Sequence, residues 1–290
     1  TLGFNRAVFC SLLRLKGIPN VINMDGIEWS RAKWGPAAKG WFWFNDWAGC
    51  WLGNHLVADH PEIKRHLSTR VSPNKITTIA YGADPLETLP EEPVRAPGLV
   101  PGCYLTLVAR AEPENSILEV VSGFSRRPRG VQLAVLGNYS PDNAYHRAVQ
   151  QVASSEVRFL GAIYDKPVVQ ALRFHSLAYV HGHQVGGTNP SLVEALGAGN
   201  AVIAHDNRFN RWVADLGAHY FSGADEFDRV LTELLTQPTQ IERMSAASSA
   251  RFHAEFTWPH ILGQYENLLT QYLPQGAAQA GPAQPSQARP

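Results

Sequence analysis

Short runs of apolar residues alternate along the chain with longer segments in which apolar residues recur at helical spacing. Eight runs have the length and composition of strands, namely residues 20–24, 55–58, 75–80, 104–109, 131–136, 157–160, 177–180 and 201–204. Strands that alternate with helices predict parallel sheets joined by crossover helices. We therefore expect an α/β fold with Rossmann-like, doubly wound parallel sheets.

A stretch rich in proline and acidic residues interrupts this alternation between residues 82 and 102, and it predicts a boundary between two α/β domains. The first domain supplies three clear strands, whereas a doubly wound sheet usually has about five or six. We therefore expect an incomplete N-terminal sheet. The predicted division is a partial domain over residues 1–85, a linker over 86–102, a second domain over 103–255, a helix over 256–273 that packs back toward the first domain, and a disordered tail over 274–290.

Composition narrows the class of protein. Hydrophobic residues make up 44% of the 290 residues and charged residues 17%, as in ordinary globular proteins. The formal net charge of +0 argues against a general nucleic-acid binder. Cys10, Cys50 and Cys103 lie far apart and form neither a disulfide framework nor a metal-ligand pattern. We therefore expect a reducing, cytoplasmic location.

The most informative stretch runs from residue 186 to residue 199. Its loop consists of Gly186, Gly187, Thr188 and Asn189, and the predicted helix begins with Pro190 and Ser191. A loop that opens onto a helix start gathers free N–H groups and suits a phosphate. Glu194, one turn further on, can accept hydrogen bonds from sugar hydroxyls, so the stretch suits a nucleotide-sugar diphosphate. The alternative is an ordinary strand-to-helix turn with a normal cap.

Arg110 directly follows the buried strand predicted at residues 104–109. Ligand sites in doubly wound sheets lie at the carboxyl ends of the strands, so this side chain is expected to face the site. An arginine there can hold a diphosphate through two parallel hydrogen bonds. The alternative is a surface salt bridge with Glu112 or Glu114.

Polar residues also follow two other predicted strands. Asp25 and Glu28 come after residues 20–24, where a carboxylate could orient or deprotonate an acceptor hydroxyl or, alternatively, cap the next turn. His181 and His183 alternate after residues 177–180 and should point to the same side, where they could donate to phosphate or sugar oxygens. No third ligand at a matching spacing supports zinc, so we expect no bound metal.

A dense aromatic cluster lies near the N-terminus. It consists of Trp41, Phe42, Trp43, Phe44, Trp47 and Trp51. Several of these residues fall at helical spacing, with basic residues just before them. One interpretation is an interfacial helix that meets a membrane or a lipid-linked acceptor. The other, which we favour at this point, is the core-facing side of a helix.

Taken together, these features resemble a known enzyme family over residues 1–255. The strands ending at Arg110 and Gly137, the sequence 159–161 and the turn and helix of residues 186–203 are similar to the donor-binding domain of family 4 glycosyltransferases. These enzymes have the GT-B fold of two facing Rossmann-like domains. Residues 21–29, 79–84 and 186–191 resemble the rhamnosyltransferase-like subgroup of that family. The resemblance makes the first domain the acceptor side, N-terminally truncated, and the second the nucleotide-sugar donor side.

The resemblance also assigns roles by position. The family brackets its donor with two glutamates. The one that contacts the ribose is Glu194 here, whereas the one that contacts the sugar is replaced by Gly186. Backbone N–H groups of Gly187, Thr188 and Asn189 are then expected to contact the sugar and the diphosphate.

At other positions, the residues match the family's pattern only in part. Arg110 matches the arginine of the family's arginine–lysine pair on the diphosphate, whereas the region of the lysine contains Asn115. Tyr164, with Ala162 and Ile163, falls where the family holds the base, and we include Asn115, His183 and Ser191 among the donor-binding residues. Asp25 falls where many relatives place a cleft-facing histidine or carboxylate.

The resemblance implies retaining transfer of a sugar to a saccharide acceptor in cell-surface polysaccharide synthesis. The expected donor is rhamnose on deoxythymidine diphosphate. The expected acceptor is lipid-linked, and the expected location is the cytoplasm with peripheral contact at the inner membrane face. The nucleotide-sugar is a substrate, and no cofactor, metal or nucleic acid is implied. The alternatives are a nucleotide-sugar epimerase of the same fold and a nucleotide-binding fragment without activity.

Overall fold

The computed structural model describes residues 1–31 and 33–273. Within these residues the chain forms two parallel β-sheets connected by helices, which confirms the predicted α/β class. The predicted disordered tail, residues 274–290, lies outside the described residues.

The N-terminal sheet is parallel and has the order β1-β2-β3 among the described residues. Its strands are β1 (Val21–Met24), β2 (His55–Ala58) and β3 (Ile76–Thr78), and its helices are α1 (Ser11–Leu15), α2 (Pro36–Leu52) and α3 (Pro61–Leu67). Met24 pairs with Ala58, and Ala58 with Thr78, so the three carboxyl ends lie at one edge. All three strands match runs that the sequence predicts, with β3 shorter than its apolar run.

The C-terminal sheet is also parallel, with the order β6-β5-β4-β7-β8-β9 among the described residues. Its strands are β4 (Tyr104–Val108), β5 (Gln132–Leu136), β6 (Val157–Gly161), β7 (Ala178–His181), β8 (Ala201–His205) and β9 (His219–Phe221). The connecting and flanking helices are α4 (Glu92–Arg95), α5 (Ile117–Phe124), α6 (Ala144–Gln151), α7 (Lys166–Phe174), α8 (Pro190–Gly197), α9 (Arg208–Ala214), α10 (Ala224–Leu235), α11 (Pro238–Glu255) and α12 (Trp258–Thr270). The direction of winding reverses between β4 and β7, which is where doubly wound sheets bind ligands.

The core lies on both faces of this sheet, because alternate strand residues point to opposite sides. Leu105 and Leu107 pack on one face with residues of α5 and α10, whereas Tyr104 packs on the other with residues of α7. Tyr104 and Thr106 both donate hydroxyl hydrogen bonds to the carbonyl of Leu172, at 2.7 and 3.0 Å. These two hydroxyl groups therefore have a hydrogen-bond partner within the core.

The predicted linker, residues 86–102, contains a short helix and two buried apolar side chains. Residues 92–95 form α4, and Val94 and Leu99 are buried against the face of the C-terminal sheet that carries Tyr104. These two apolar side chains fix the segment to the second half of the chain.

The two halves of the chain contact each other through its C-terminal region. The hydroxyl of Tyr272 lies 3.0 Å from Nδ1 of His55, and the backbone N–H of Ala83 donates to the carbonyl of Phe256 at 3.0 Å. Val57 and Ile79 share one apolar cluster with residues of α8, α11 and α12. The N-terminal sheet is thus packed directly against the C-terminal half.

The aromatic cluster lies on α2, and the core-face interpretation is wrong for most of it. The residues that α2 buries are small or polar: Asn45, Asp46, Ala48, Gly49 and Cys50. Trp41, Trp43, Phe44 and Trp51 are instead 44 to 62% exposed. Asp46 is held inside by Arg70 and by the indole N–H of Trp29, and Ala48 and Cys50 pack into the apolar core of the N-terminal half. This side of α2 therefore faces inward, and the aromatic side faces outward. Among the described helices, none combines the length and hydropathy needed to cross a bilayer.

Candidate functional site

A cavity of about 690 Å³ opens at the carboxyl end of β4, beside the point where the winding of the sheet reverses. We refer to it as the switch-point cavity. Five of the predicted site residues line it, namely Arg110, Tyr164, Asn189, Ser191 and Glu194. Its size lies within the usual range for ligand pockets, roughly 300–1,000 Å³. The fold therefore gathers residues from three separate stretches of sequence in one ligand-sized space.

Arg110 is exposed at the end of β4 and forms no ion pair with any described residue. The alternative salt bridge to Glu114 is wrong, because Glu114 pairs with Arg31 of the N-terminal half at 2.5 Å. Asn115 is buried, and its side-chain amide donates to the backbone carbonyl of Arg110 at 2.8 Å. Asn115 thus holds the strand end that carries Arg110 and does not itself line the cavity, which differs from its predicted donor-binding role.

The turn into α8 has the predicted helix start. The side chain of Asn189 accepts a hydrogen bond from the N–H of Ser191 at 3.0 Å, and Pro190 occupies the first helical position. Both features are favourable at a helix N-terminus. The positive end of α8 therefore lies on the wall of the switch-point cavity, where it favours an anion.

Glu194 is fixed by a residue that the sequence did not single out. Arg173, on α7, is buried, and its guanidinium lies 2.6 Å from Oε2 of Glu194 and 2.9 Å from Oγ of Ser191. Oε1 of Glu194 makes no hydrogen bond within the described residues. The pair therefore holds the carboxylate at the cavity wall with one oxygen available. No local pattern marks Arg173, since its burial depends on how α7 packs beside α8.

Thr188 contacts the N-terminal half rather than the switch-point cavity. Its N–H donates to Oδ2 of Asp59 at 3.0 Å, and its hydroxyl donates to the carbonyl of Asp59. The expectation that this N–H binds the donor is therefore wrong for this structure, because Asp59 already occupies it. A Cβ on Gly187 would lie 2.2 Å from Asp59, so this close approach requires glycine. Asp59 directly follows β2, a position that could have marked it as facing the site.

Burial raises the pKa of the Asp59 carboxyl to about 7, a shift that the hydrogen bond from Thr188 opposes and the charge of Asp25 reinforces. The unfolded chain releases this proton near pH 4, so between about pH 4 and pH 7 only the folded protein retains it. The contribution of Asp59 to the free energy of unfolding therefore falls as the pH rises through this window. We expect the difference in that free energy, wild type minus Asp59→Asn, to fall in the same way.

Urea denaturation at several pH values between 4 and 8 measures this difference. Asp142→Asn, at an exposed carboxyl on the C-terminal half, controls for the loss of one charge. A difference for Asp59→Asn that stays constant or rises with pH would contradict the prediction.

Asp25 lines a second cavity, of about 190 Å³, in which Gly186 lies on the opposing half of the chain. Burial raises the pKa of the Asp25 carboxyl, and the neighbouring Glu28 adds to this effect. Gly186 has φ of +143°, a conformation that residues with a side chain rarely adopt. A glutamate at position 186 would thus be strained, and Asp25 brings a carboxyl group to this cavity from the other side.

His181 and His183 do point to the same side, as alternation predicts, and their rings stack at 4.4 Å between centroids. Burial lowers the pKa of both imidazoles, that of His183 to about 4. Both rings are therefore neutral near pH 7. Neither residue is among the described residues that line the two cavities, so the predicted contact between His183 and the donor does not appear in this structure.

Two family models match the chain. One, described as "Glycosyl transferase-like", matches residues 117–267, which is more than half of the 290 residues and includes the helix that carries Glu194. The other, described as a domain of unknown function (DUF1972), matches residues 8–84. No curated protein matches the chain by sequence.

Solved structures match its fold. Anabaena Alr3699/HepE, solved in complex with UDP, has a TM-score of 0.76 at 14% identity, with 91% of this chain and 76% of that one covered. Sucrose-phosphate synthase from Thermosynechococcus elongatus has a TM-score of 0.75 at 16% identity, over 93% and 73% of the two chains. An alpha,alpha-trehalose-phosphate synthase (UDP-forming) from Burkholderia vietnamiensis has a TM-score of 0.70 at 12% identity, over 93% and 73%. At these identities the likeness establishes the fold, which is the GT-B type expected from the sequence.

Proposed function

The chain belongs to the glycosyl transferase-like family, and from this premise we propose that it transfers a sugar from a nucleotide-diphosphate sugar bound in the switch-point cavity. One observation carries the proposal. An arginine without an ion pair to any described residue, a capped helix N-terminus and a carboxylate fixed by Arg173 line the same cavity, at the point where the winding of the sheet reverses. These are the groups that a diphosphate and a ribose require.

The side chains and N–H groups on the cavity walls support one arrangement of the donor. Arg110 and the N-terminus of α8 hold the diphosphate, because both present positive charge and N–H donors. Glu194 accepts hydrogen bonds from the ribose hydroxyls. Ala162, Ile163 and Tyr164 line the same cavity and hold the base. The sugar then extends toward Gly186 and the second cavity.

Transfer proceeds with retention of the anomeric configuration. The bond between the anomeric carbon and the phosphate oxygen breaks while the acceptor oxygen forms a bond to the same face of that carbon. The acceptor proton passes to the departing phosphate oxygen. Arg110 and the α8 N-terminus stabilise the charge that develops on the leaving diphosphate, which is the electrostatic contribution expected of prearranged donors.

Asp25 positions the acceptor from the N-terminal half. Its carboxyl group lines the cavity that Gly186 also lines, so it lies where a hydroxyl approaching the donor sugar would enter. A carboxyl group there can orient that hydroxyl by accepting its hydrogen bond. The same group offsets the absence of a carboxylate at position 186.

The substrates we assign are rhamnose on deoxythymidine diphosphate and a lipid-linked saccharide at the cytoplasmic face of the membrane, in cell-surface polysaccharide synthesis. The motifs at residues 21–29, 79–84 and 186–191 support the sugar, through their resemblance to the rhamnosyltransferase-like subgroup. Anabaena Alr3699/HepE was solved in complex with UDP and glucose. UDP-glucose is therefore the alternative donor that should be tested beside deoxythymidine diphosphate–rhamnose.

Nucleotide release tests the function. The protein is incubated with deoxythymidine diphosphate–rhamnose or UDP-glucose, each with and without saccharide acceptors, and the free nucleotide diphosphate and the sugar products are measured. Release that depends on the acceptor supports transfer. Isomerisation of the sugar without transfer would replace the proposal with a nucleotide-sugar epimerase. Binding of nucleotide with no turnover under any condition would replace it with a nucleotide-binding protein.

A further inference from the structure

Two loops of the C-terminal half carry the groups that the proposed function assigns to the diphosphate. One follows β4 and carries Arg110, and the other follows β7 and leads through Asn189 into α8. Each loop is also bonded to one polar residue of the N-terminal half, namely Arg31 or Asp59. Both of these residues lie within residues 8–84, which match the family model of unknown function.

Asp59 holds the loop that precedes α8. Its Oδ2 accepts the N–H of Thr188 at 3.0 Å, its carbonyl accepts the hydroxyl of Thr188, and both residues are only 2% exposed. Thr188 directly precedes Asn189, the residue that caps α8 and lines the switch-point cavity. The N-terminus of α8 is therefore held in place from across the interface between the two halves.

The carboxyl group of Asp59 also packs tightly against Gly187. A Cβ on Gly187 would lie 2.2 Å from Oδ2 and 2.4 Å from Oδ1 of Asp59, so any side chain there would push the loop away. Burial raises the pKa of the Asp59 carboxyl to about 7, so its neutral form is populated near neutral pH. An asparagine has the shape of that neutral form and keeps an oxygen that can accept the N–H of Thr188.

Arg31 holds the loop that follows β4. Its guanidinium lies 2.5 Å from Oε1 of Glu114 and 2.8 Å from Oε1 of Glu28, and its side chain is largely buried. The residue after Glu114 is Asn115, whose side-chain amide donates to the carbonyl of Arg110 at 2.8 Å. The contact made by Arg31 is therefore transmitted through two adjacent residues to the backbone of Arg110.

The two loops are also joined to each other. The N–H of Gln184, in the loop before α8, donates to the carbonyl of Glu114 at 2.9 Å, and its side chain donates to Oγ of Ser116 at 2.9 Å. A Cβ on Gly182 would lie 2.1 Å from the carbonyl oxygen of Asn115, so the loops pass each other without space for a side chain. A shift of either loop therefore displaces the other.

We propose that Arg31 and Asp59 are positioning residues for sugar transfer, which fix Arg110 and the N-terminus of α8 relative to the leaving diphosphate. The proposal rests on the proposed function, because it takes these two groups to stabilise that diphosphate. Neither Arg31 nor Asp59 is among the described residues that line the switch-point cavity, so each acts through the loop that it holds. A displacement of about 1 Å that originates far from the reacting atoms can lower the rate by roughly 100-fold.

Steady-state kinetics of transfer and titration with the nucleotide diphosphate test the role of Asp59. Asp59→Ala should lower kcat by about 10- to 30-fold and change the Kd of the nucleotide by less than about threefold, because the base and the ribose are held within the C-terminal half. Asp59→Asn should retain at least about a third of the wild-type kcat, since it keeps the acceptor for the N–H of Thr188. Gly187→Ala should lower kcat as Asp59→Ala does, because its Cβ displaces the same loop.

Tyr272→Phe is the matched control. It removes the hydrogen bond to His55, which joins the same two halves at the opposite end of β2 from Asp59, and it should leave kcat unchanged. A wild-type kcat for Asp59→Ala would overturn the role of Asp59. Equal losses in Asp59→Asn and Asp59→Ala would also overturn it, because they would assign the carboxyl group itself to proton transfer.

Amide hydrogen exchange observes the loop independently of activity. In wild type the N–H of Thr188 is bonded and buried, so its exchange should be slow. Asp59→Ala should speed exchange in residues 186–189 and leave β4 and β7 as in wild type. Unchanged exchange in this loop would show that Asp59 does not hold it and would overturn the proposal.

Arg31→Ala, Glu114→Ala and the double variant test the second contact. All three should lower kcat by a similar factor, about tenfold, because losses within one interacting pair are not additive. A direct bond from Arg31 to the diphosphate predicts the opposite for Glu114→Ala, since the released guanidinium would bind the donor more tightly. Tighter nucleotide binding by Glu114→Ala would therefore overturn the positioning role of Arg31. Arg95→Ala, which breaks an exposed Arg–Glu pair on α4, is the control and should behave as wild type does.

The two proposals fail in different ways. If the wild-type protein shows no acceptor-dependent turnover with either donor, the proposed function is refuted and the positioning roles in transfer fall with it. If the wild-type protein transfers sugar and neither Arg31→Ala nor Asp59→Ala lowers kcat, only the positioning roles are refuted.

Discussion

Arg110→Ala is expected to lower kcat for sugar transfer by about 10²–10³-fold, the usual effect of removing one donor that stabilises developing charge. Arg110 is exposed in the switch-point cavity without an ion pair to any described residue, so its charge is available to a leaving diphosphate. The family's second cation is replaced here by the stretch that contains Glu114 and Asn115. The loss should therefore fall on kcat more than on the KM for the donor, since the charge on the diphosphate grows as the bond to the sugar breaks.

Steady-state kinetics of Arg110→Ala and Arg110→Lys measure this effect. The lysine variant should retain part of the activity, because it keeps the charge but loses the bidentate geometry. Arg243→Ala removes an exposed arginine from α11 and serves as the control for a lost surface charge. Transfer by Arg110→Ala at a near-normal rate would remove Arg110 from the mechanism.

Most strands could be predicted from the sequence because each contains a short apolar run. Five of them, β2, β4, β5, β7 and β8, are largely buried on both faces of a parallel sheet. The exception is β9, which has three residues at the edge of the sheet and is fully buried only at Phe221. A strand this short contains too few apolar residues to be distinguished from a loop in the sequence. The burial of Val94 and Leu99 within the predicted linker could not be predicted either, since it depends on the sheet against which they pack.

The candidate site could be predicted where its residues lie at strand ends or at a helix start. Arg110, Asn189 and Glu194 satisfy these local rules, and all three line the same cavity. Thr188 does not line this cavity, because its N–H donates to the carboxylate of Asp59, 129 residues earlier in the chain. Such contacts depend on how the two halves of the chain pack together. They cannot be predicted from the spacing of residues within either half.

The aromatic helix shows where helical periodicity alone is ambiguous. Aromatic residues at helical spacing predict an apolar stripe, and such stripes usually face the core. In α2 the opposite side is buried instead, because Arg70 and Trp29 provide partners for the inward-facing Asp46. This buried ion pair joins residues that lie far apart in the chain, so the sequence pattern could not reveal it.

Glu194→Ala is expected to weaken donor binding and to destabilise the fold at the same time. Loss of hydrogen bonds to the ribose should raise the KM for the donor about 10- to 100-fold, since bonds to a charged group contribute roughly 1.5–3 kcal/mol. The substitution also leaves the buried Arg173 guanidinium with no carboxylate partner among the described residues, and it then keeps the hydrogen bond to Ser191 and the contact with the ring of Tyr179. Breaking a fully buried pair costs about 3–5 kcal/mol, and because the Glu194 side chain is 42% exposed we expect a smaller loss, about 1–2 kcal/mol.

The double variant Arg173→Met with Glu194→Ala separates the two effects. Replacing a buried ion pair by apolar residues is often neutral for stability, so the double variant should recover most of the free energy of unfolding that Glu194→Ala loses. It should not recover donor binding, because the carboxylate is still missing. Glu242→Ala, at an exposed position of α11, is the matched control and should change neither quantity. Urea denaturation and donor titration measure them separately, and recovery of both in the double variant would show that Glu194 acts on the donor only by neutralising Arg173.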